Sequence, residues 1–300
     1  MLLLTIVYNR SMECIIDEIK DIKKCFEDKK VISGISENII EDTHVVKFFC
    51  DDDNLSDGSI KTFNLQVANM LYKIVVMGFC KKGLKKFLDE SYFFLQYDEI
   101  EQIKPRIQEY LISEGAISGP NGVYCMNRKN SIIDKITKCI EENNKINISG
   151  FLTFRTKELK GDLECIVDKV VEEYMVEKEY NEFIKLLKYF VDVQDSKVDE
   201  INILIEKNGN YRLTDEEGND LLGNMMMELP NVKFDSKENQ EELIISTMIT
   251  NAPKKIIIHC VEHCKNKELI QTISKVFVDR VYYCDKCVKC EEIKRETLVW

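Results

Sequence analysis

Five of the twelve cysteines in this 300-residue chain fall between residues 260 and 290, beside two of its three histidines. His259, Cys260, His263 and Cys264 form one group, and Cys284, Cys287 and Cys290 form a second with C-x-x-C-x-x-C spacing. Thiolates and imidazoles are the usual ligands of structural zinc, which takes four of them in a tetrahedron, and a C-x-x-C pair supplies two at once. The spacing makes Cys284, Cys287 and Cys290 candidate metal ligands, with His263 or Cys264 completing the set. A cubane iron–sulfur cluster is the alternative and needs four thiolates, the fourth from Cys260 or Cys264. Opposed to both is a set of free thiols in a reducing compartment, with Cys260 and Cys284 buried on strands. The other seven cysteines, Cys14 to Cys165, are scattered and read as small core residues.

The elements around the cluster give the two groups a reason to meet. Lys254 to His259 reads as a buried strand, Lys267 to Phe277 as an amphipathic helix, and Arg280 to Cys284 as a second strand. A β-α-β crossover of this kind joins parallel strands, whose carboxyl ends lie on one sheet edge, where open α/β sheets usually carry ligands. The two groups are therefore expected to be neighbours. Residues 285–300 are mostly charged, so a bound metal would pin a tail that can pack little of itself.

Two further constellations carry charge. Arg155 and Lys157, with Arg212 as a third cation, are candidates for binding a phosphate or carboxylate, since a helix start favours anions. The competing reading is a solvated basic edge paired with Glu158, Asp162 or Glu164. Glu172, Glu173, Glu177 and Glu179 sit beside an apolar helical stripe and read as its solvated face rather than as acid–base catalysts. No Walker loop, G-x-G-x-x-G, G-x-S-x-G or H-E-x-x-H motif is present, so no catalytic residue is nominated, and a non-enzymatic role is favoured. His44 lies in a strand candidate and reads as structural.

Ahead of these sites the pattern is α+β. Leu2 to Tyr8, a helix from Met12 to Phe26, and extended runs at 31–40 and 45–50 give β-α-β-β. Ile60 to Cys80 is a buried helix; Asp98 to Ile112 is a second, kinked or restarted near Pro105; Ser131 to Glu142 is a third. Leu163, Ile166, Val167, Val170, Val171, Tyr174 and Met175 keep helical spacing. After the charges at 177–179, Phe183 to Val191 is expected to form a separate helix. Ile201, Ile203 and Ile205 alternate ahead of Asn208-Gly209 and Tyr211 to Leu213, a hairpin signal. Ser236 to Asn251 is a further helix. The glycine-rich stretch 115–122 suggests a boundary between an α+β region (1–115) and a helical core with hairpin and β-α-β (123–300).

With 44% hydrophobic and 32% charged residues the chain is of globular type, and its net charge of −11 argues against non-specific nucleic-acid binding. No export signal or apolar run of membrane-spanning length stands out, the nearest being Val67 to Cys80, so a cytoplasmic protein is expected.

The stretch 149–215 carries a resemblance. It reads G-F-x-x-F-R-x-K, then a long helical pair containing VEKEYxEFIxLLxYFV, an extended segment, and YRLxD; EELIISTMITNAPKKIIIH follows at 241–259. These blocks, in this order, resemble the YtxC-like sporulation proteins of endospore-forming bacteria. The resemblance implies a role in endospore formation, expected to run through protein partners in the sporulating cell, and implies no reaction. Two alternatives stand beside it: a metal-binding or redox-responsive module built on the carboxy-terminal thiols, and a binder or enzyme for a phosphorylated ligand using Arg155 and Lys157.

Overall fold

The computed structural model describes residues 1–12, 14–28, 31–51, 55–113, 121–228, 237–284 and 286–295. The chain divides into two compact units, Met1–Met175 and Val176–Trp300. The stretch expected to mark a boundary falls mostly outside the described residues, at 114–120.

The first unit opens with the expected β-α-β-β order: β1 (Leu2–Asn9), α1 (Cys14–Asp28), β2 (Ser33–Ile40) and β3 (Thr43–Cys50). β1 is apolar without alternation because both its faces are covered, and Leu4 to Val7 and Tyr8 are all buried. Ile15, Ile19, Ile22 and Phe26 form the inner stripe of α1, and the Phe26 ring meets Phe48 and Phe63 edge-on. His44 stacks on Tyr8 and holds Glu37 at 2.7 Å, a structural placement.

Ser56 caps α2 (Asp57–Gly78) by accepting from the Ser59 N–H. A π turn at Phe79–Gly83 leads on into α3 (Leu84–Ser91). The helical run 57–91 is long and apolar enough to pass for a membrane span, but its apolar side chains, Phe63, Val67, Leu71 and Val75 among them, are spent on the core. α4 (Tyr97–Ile112) runs unbroken through Pro105, where a kink or restart was expected. Ile103, Ile107 and Leu111 bury both sides of the proline, and the Glu99 carboxylate caps the Gln96 N–H. α5 (Gly122–Glu142) starts earlier than its apolar pattern suggested, and β4 (Lys145–Asn147) adds a short parallel strand to β1. The sheet order is β2-β3-β1-β4.

α6 (Ile148–Val193) is one helix of 46 residues, which corrects the expectation of two. The charged stretch at 177–179 contains no glycine or proline. Glu and Lys are good helix formers, and the Lys178–Glu182 pair lies along the helix one turn apart. Its earlier part buries Leu163, Ile166, Val167, Val170, Val171 and Tyr174 in the first unit, as the stripe predicted, with Asp168 and Glu172 exposed. Ile184, Leu187 and Val191 belong to the core of the second unit.

The second unit holds β5 (Glu200–Ile205), β6 (Tyr211–Asp215), α7 (Leu221–Glu228), α8 (Lys237–Asn251), β7 (Lys255–His259), α9 (Lys267–Val276), β8 (Val281–Cys284) and α10 (Val288–Arg295). The expected Asn-Gly hairpin joins β5 to β6, with Gly209 at φ +87°, where a side chain would be strained. The expected β-α-β unit is present, and β5, β7 and β8 are mutually parallel in the order β6-β5-β7-β8. The fold is α+β throughout, with a β-rich amino end, a helical middle and a small α/β carboxy-terminal part.

Val167 is fully buried on α6, so Val167→Asp places an unpaired charge in the first core. It should lower unfolding free energy by about 3 kcal/mol or more. Val176→Asp, at an exposed position of the same helix, should stay within about 1 kcal/mol of wild type. Urea unfolding of the two variants checks this, and equal midpoints would remove the stripe from the core.

Candidate metal centre

Strand periodicity decides which side chains can reach the site. Ile201, Ile203 and Ile205 of β5 and Ile256 and Ile258 of β7 enter the core of the second unit. The intervening residues, Asn202 and Leu204 on β5 and His259 on β7, therefore occupy the opposite face. The parallel register pairs Leu204 with His259 and His259 with Cys284, so one row crosses three strands. Cys290 of α10 packs with Leu204 and Cys260, with Cys284 and Cys287 against them, which sets α10 over this face.

The row and the helix bring four donors together. The Nδ1 atom of His259 and the sulfurs of Cys284, Cys287 and Cys290 all lie within 4.8 Å of one another. Cys287 Sγ is 3.7 Å from Cys290 Sγ, and Cys290 Sγ is 3.8 Å from Cys284 Sγ. His259 Nδ1 is 3.3 Å from Cys287 Sγ and 3.5 Å from Cys290 Sγ. A zinc tetrahedron with bonds of ~2.3 Å to sulfur and ~2.0 Å to nitrogen has edges of ~3.8 Å between sulfurs and ~3.5 Å from sulfur to nitrogen. Four of the six donor separations thus match these edges, and the other two are within 4.8 Å.

A buried polar network orients the imidazole. Asn202 is 2% exposed and His259 3%. Asn202 gives its amide hydrogens to Glu200 Oε1 and to the Asp215 carbonyl, which leaves its Oδ1 to accept from His259 Nε2 at 3.0 Å. Nε2 therefore carries the proton and Nδ1 turns its lone pair to the thiols, the pattern by which a second partner fixes the tautomer of a metal-bound histidine. Lys255 holds Glu200 at 2.9 Å and, with Asn202, keeps that carboxyl below the usual range.

Burial, then the Lys289 charge, lowers the His259 pKa and favours the neutral, ligating ring. Cys284 is pushed up to about 12 by burial and by its thiol neighbours. Burial also pushes Cys287 up, but the N–H groups of Cys290 and Lys289 and the adjacent thiols outweigh it, so the Cys287 thiol is more acidic than usual. Cys287 stands at the start of α10, where its carbonyl accepts from Glu291 N–H.

Of the residues singled out in the sequence, Cys284, Cys287 and Cys290 are brought together, and His263 and Cys264 are not part of the group. Cys260 adopts a left-handed backbone, φ 55°, and the 3-10 turn that follows leads away from the row. His263 Nδ1 accordingly meets the Ile205 carbonyl at 3.1 Å, and the Cys264 thiol donates to the Asn266 carbonyl at 3.1 Å. His259 takes the fourth place, a choice that the two-residue strand period and its pairing with Cys284 decide. Asn202 had no sequence signal beyond being polar between two buried isoleucines. Asp285 and residues 296–300 of the charged tail lie outside the described residues.

The cation candidates are separate. Arg155 pairs with Glu158 at 2.9 Å, and Arg212 pairs with Glu206 at 2.8 Å, one in each unit. Arg155 and Lys157 lie well inside α6, away from its start at Ile148, so no helix N-terminus serves them. Among the glutamates, Glu172 pairs with Lys169, and Glu173 accepts from the Tyr110 hydroxyl and the Asn121 N–H.

Residues 65–282 match the model of the YtxC-like family, and the chain belongs to that family. It is 26% identical over 214 residues to "Uncharacterized protein YtxC" of Bacillus subtilis (strain 168), covering 67% of this chain and 71% of that protein. No solved structure matches the chain.

The geometry separates the observed donor set from the one expected by spacing alone. His263→Ala and Cys264→Ser should leave cobalt or zinc binding unchanged, while Cys290→Ser and His259→Ala should weaken it by ~100-fold or more, as loss of one of four ligands demands. The thiolate charge-transfer absorption of a cobalt titration reads both.

Proposed function

We propose that this YtxC-like protein carries a structural zinc ion on His259, Cys284, Cys287 and Cys290, and that the ion fastens α10 to the outer face of the β5-β7-β8 sheet. The agreement between the donor separations and the edges of a zinc tetrahedron carries this reading. Four protein donors leave no open position for water or substrate, which favours a structural over a catalytic ion. A cubane cluster is disfavoured because each of its ligands binds a different iron, and sulfurs already in contact leave no room between them for four. α10 is eight residues long, too short to be stable by itself, and a metal bond is what a helix of that length lacks.

The biological setting is the finer part of the proposal. We infer a cytoplasmic, non-enzymatic role in endospore formation, exercised through protein contacts; the resemblance to the YtxC-like sporulation proteins supports the setting. Protein levels followed through sporulation, with heat-resistant spore counts in a deletion strain, test it. Unchanged counts together with constant expression during growth would remove the setting and leave the metal site standing.

Two measurements test the ion. Protein purified without oxygen should contain one zinc per chain, and its chelation should abolish amide protection in α10 while leaving α2 and α5 protected. Protein with intact thiols that neither retains zinc nor takes it up would overturn the proposal. Asn202→Ala removes the partner of His259 Nε2 and should weaken zinc binding by roughly 10–100-fold without removing any ligand.

A further inference from the structure

The helical run from Asp57 to Ser91 departs from α geometry at one place, the π turn Phe79–Gly83. Such turns are rare and concentrate at functional sites. Here Phe79 is buried, and Gly83 lies under its ring, where a Cβ would come within 2.8 Å of a ring carbon. The two lysines between them, Lys81 and Lys82, line a pocket of about 650 Å³. That volume falls in the ~300–1,000 Å³ range of small-molecule sites.

The lining has two parts. Met12, Ile15, Ile74, Met77 and Leu152 make an apolar wall from four helical segments. Lys160 of α6 joins Lys81 and Lys82 as the basic part, and among the described residues no carboxylate lines the pocket. Lys160 is offset by Glu164 at 3.0 Å. Lys81 and Lys82 make no ion pair among the described residues; Lys85 and Lys86 follow them, Lys86 paired with Glu90 at 3.7 Å. A local excess of ammonium groups in a chain of net charge −11 stands out against the surrounding surface.

An apolar wall beside unpaired cations complements one kind of molecule. A free phosphate would leave the wall wet, and a neutral hydrocarbon would leave the lysines unused. Unbranched methionines adapt to a flexible chain better than a rigid aromatic wall would. We propose that this pocket binds a single-chain anionic amphiphile, with the acyl chain along Met12, Ile74, Met77 and Leu152 and an anionic head group on Lys81 and Lys82. The head is a carboxylate or a phosphate monoester, as in a fatty acid or a lysophosphatidate. The site lies wholly in the first unit and is independent of the metal reading.

The test is calorimetric titration of the full-length protein below the critical micelle concentration, with palmitate, palmitoyl lysophosphatidate, monopalmitoylglycerol and inorganic phosphate. One or both anionic amphiphiles should saturate at one per chain, and the stronger head group identifies the source. The neutral glyceride should bind at least about tenfold more weakly, a difference of ~1.4 kcal/mol. Lys81→Glu with Lys82→Glu, both exposed and so compatible with folding, should bring the anionic ligand down to the neutral level. Leu152→Trp, which fills the wall, should abolish binding of all amphiphiles while circular dichroism and melting stay as in wild type. The proposal is overturned if neither anionic amphiphile binds, if inorganic phosphate competes equally, if the charge-reversed protein binds unchanged, or if binding appears only on anionic vesicles.

Discussion

Parallel pairing of β7 with β8 is the constraint on which the carboxy-terminal site depends. A strand that returns parallel to its predecessor must end on the same sheet edge, so the residues that close the two strands become neighbours whatever the sequence distance between them. The register then makes His259 and Cys284 direct partners across the ladder. The two-residue period of the strands puts both on the face that the isoleucines leave vacant. The last two donors come from outside the sheet, and they arrive because Cys287 opens a helix whose first turn carries Cys290.

That argument also marks how far the sequence could be read. The β-α-β unit, the Asn-Gly hairpin and the stripe of α6 were legible because each rests on local periodicity or on one turn residue with a conformational demand. The grouping of Cys284, Cys287 and Cys290 was legible from spacing, but the residue that completes the cluster was not. His259 and His263 are equally near in sequence, and the choice between them turns on the left-handed backbone at Cys260, which no local pattern announces in a cysteine. The continuity of α6 was missed for a different reason. A run of charges looks like an interruption when apolar spacing is followed alone, yet Glu and Lys sustain a helix wherever its surface is wet. At Pro105 the helix does not restart, since buried residues on both sides hold α4 together through the lost hydrogen bond.

Energetics explain why the outer face of the second sheet is polar. An unsatisfied buried amide or imidazole costs about 1–3 kcal/mol, so Asn202 and His259 are tolerable there only as members of a completed network. The network is completed: Lys255 holds Glu200, Glu200 and a backbone carbonyl take the Asn202 amide, and Asn202 takes the imidazole proton. The imidazole is left with one free lone pair and one direction in which to use it. By contrast, among the described residues the apolar cluster at α10 consists of Leu204, Cys260 and Cys290, with Cys284 and Cys287 packed against it.

The two units therefore keep their chemistry in different ways. In the second, polar groups are driven inward and satisfied one by one, and the cysteine and histidine donors gather beside them. In the first, the core is apolar and closed, and the exposed lysines of the π turn border a wall of methionine and aliphatic side chains. A regular helix satisfies its own backbone and has no need of an extra residue per turn; the π geometry persists because Phe79 is locked in the core over a glycine that leaves room for its ring. Gly83 is thus a packing requirement rather than a helix end, and the lysines it brackets are presented on a rigid frame. Pre-organised cations beside an apolar wall lose little conformational freedom on meeting an amphiphile, whereas flexible surface lysines would lose more of it. The same helix spends much of the apolar content of residues 57–91 on the core, Phe63, Val67, Leu71 and Val75 included.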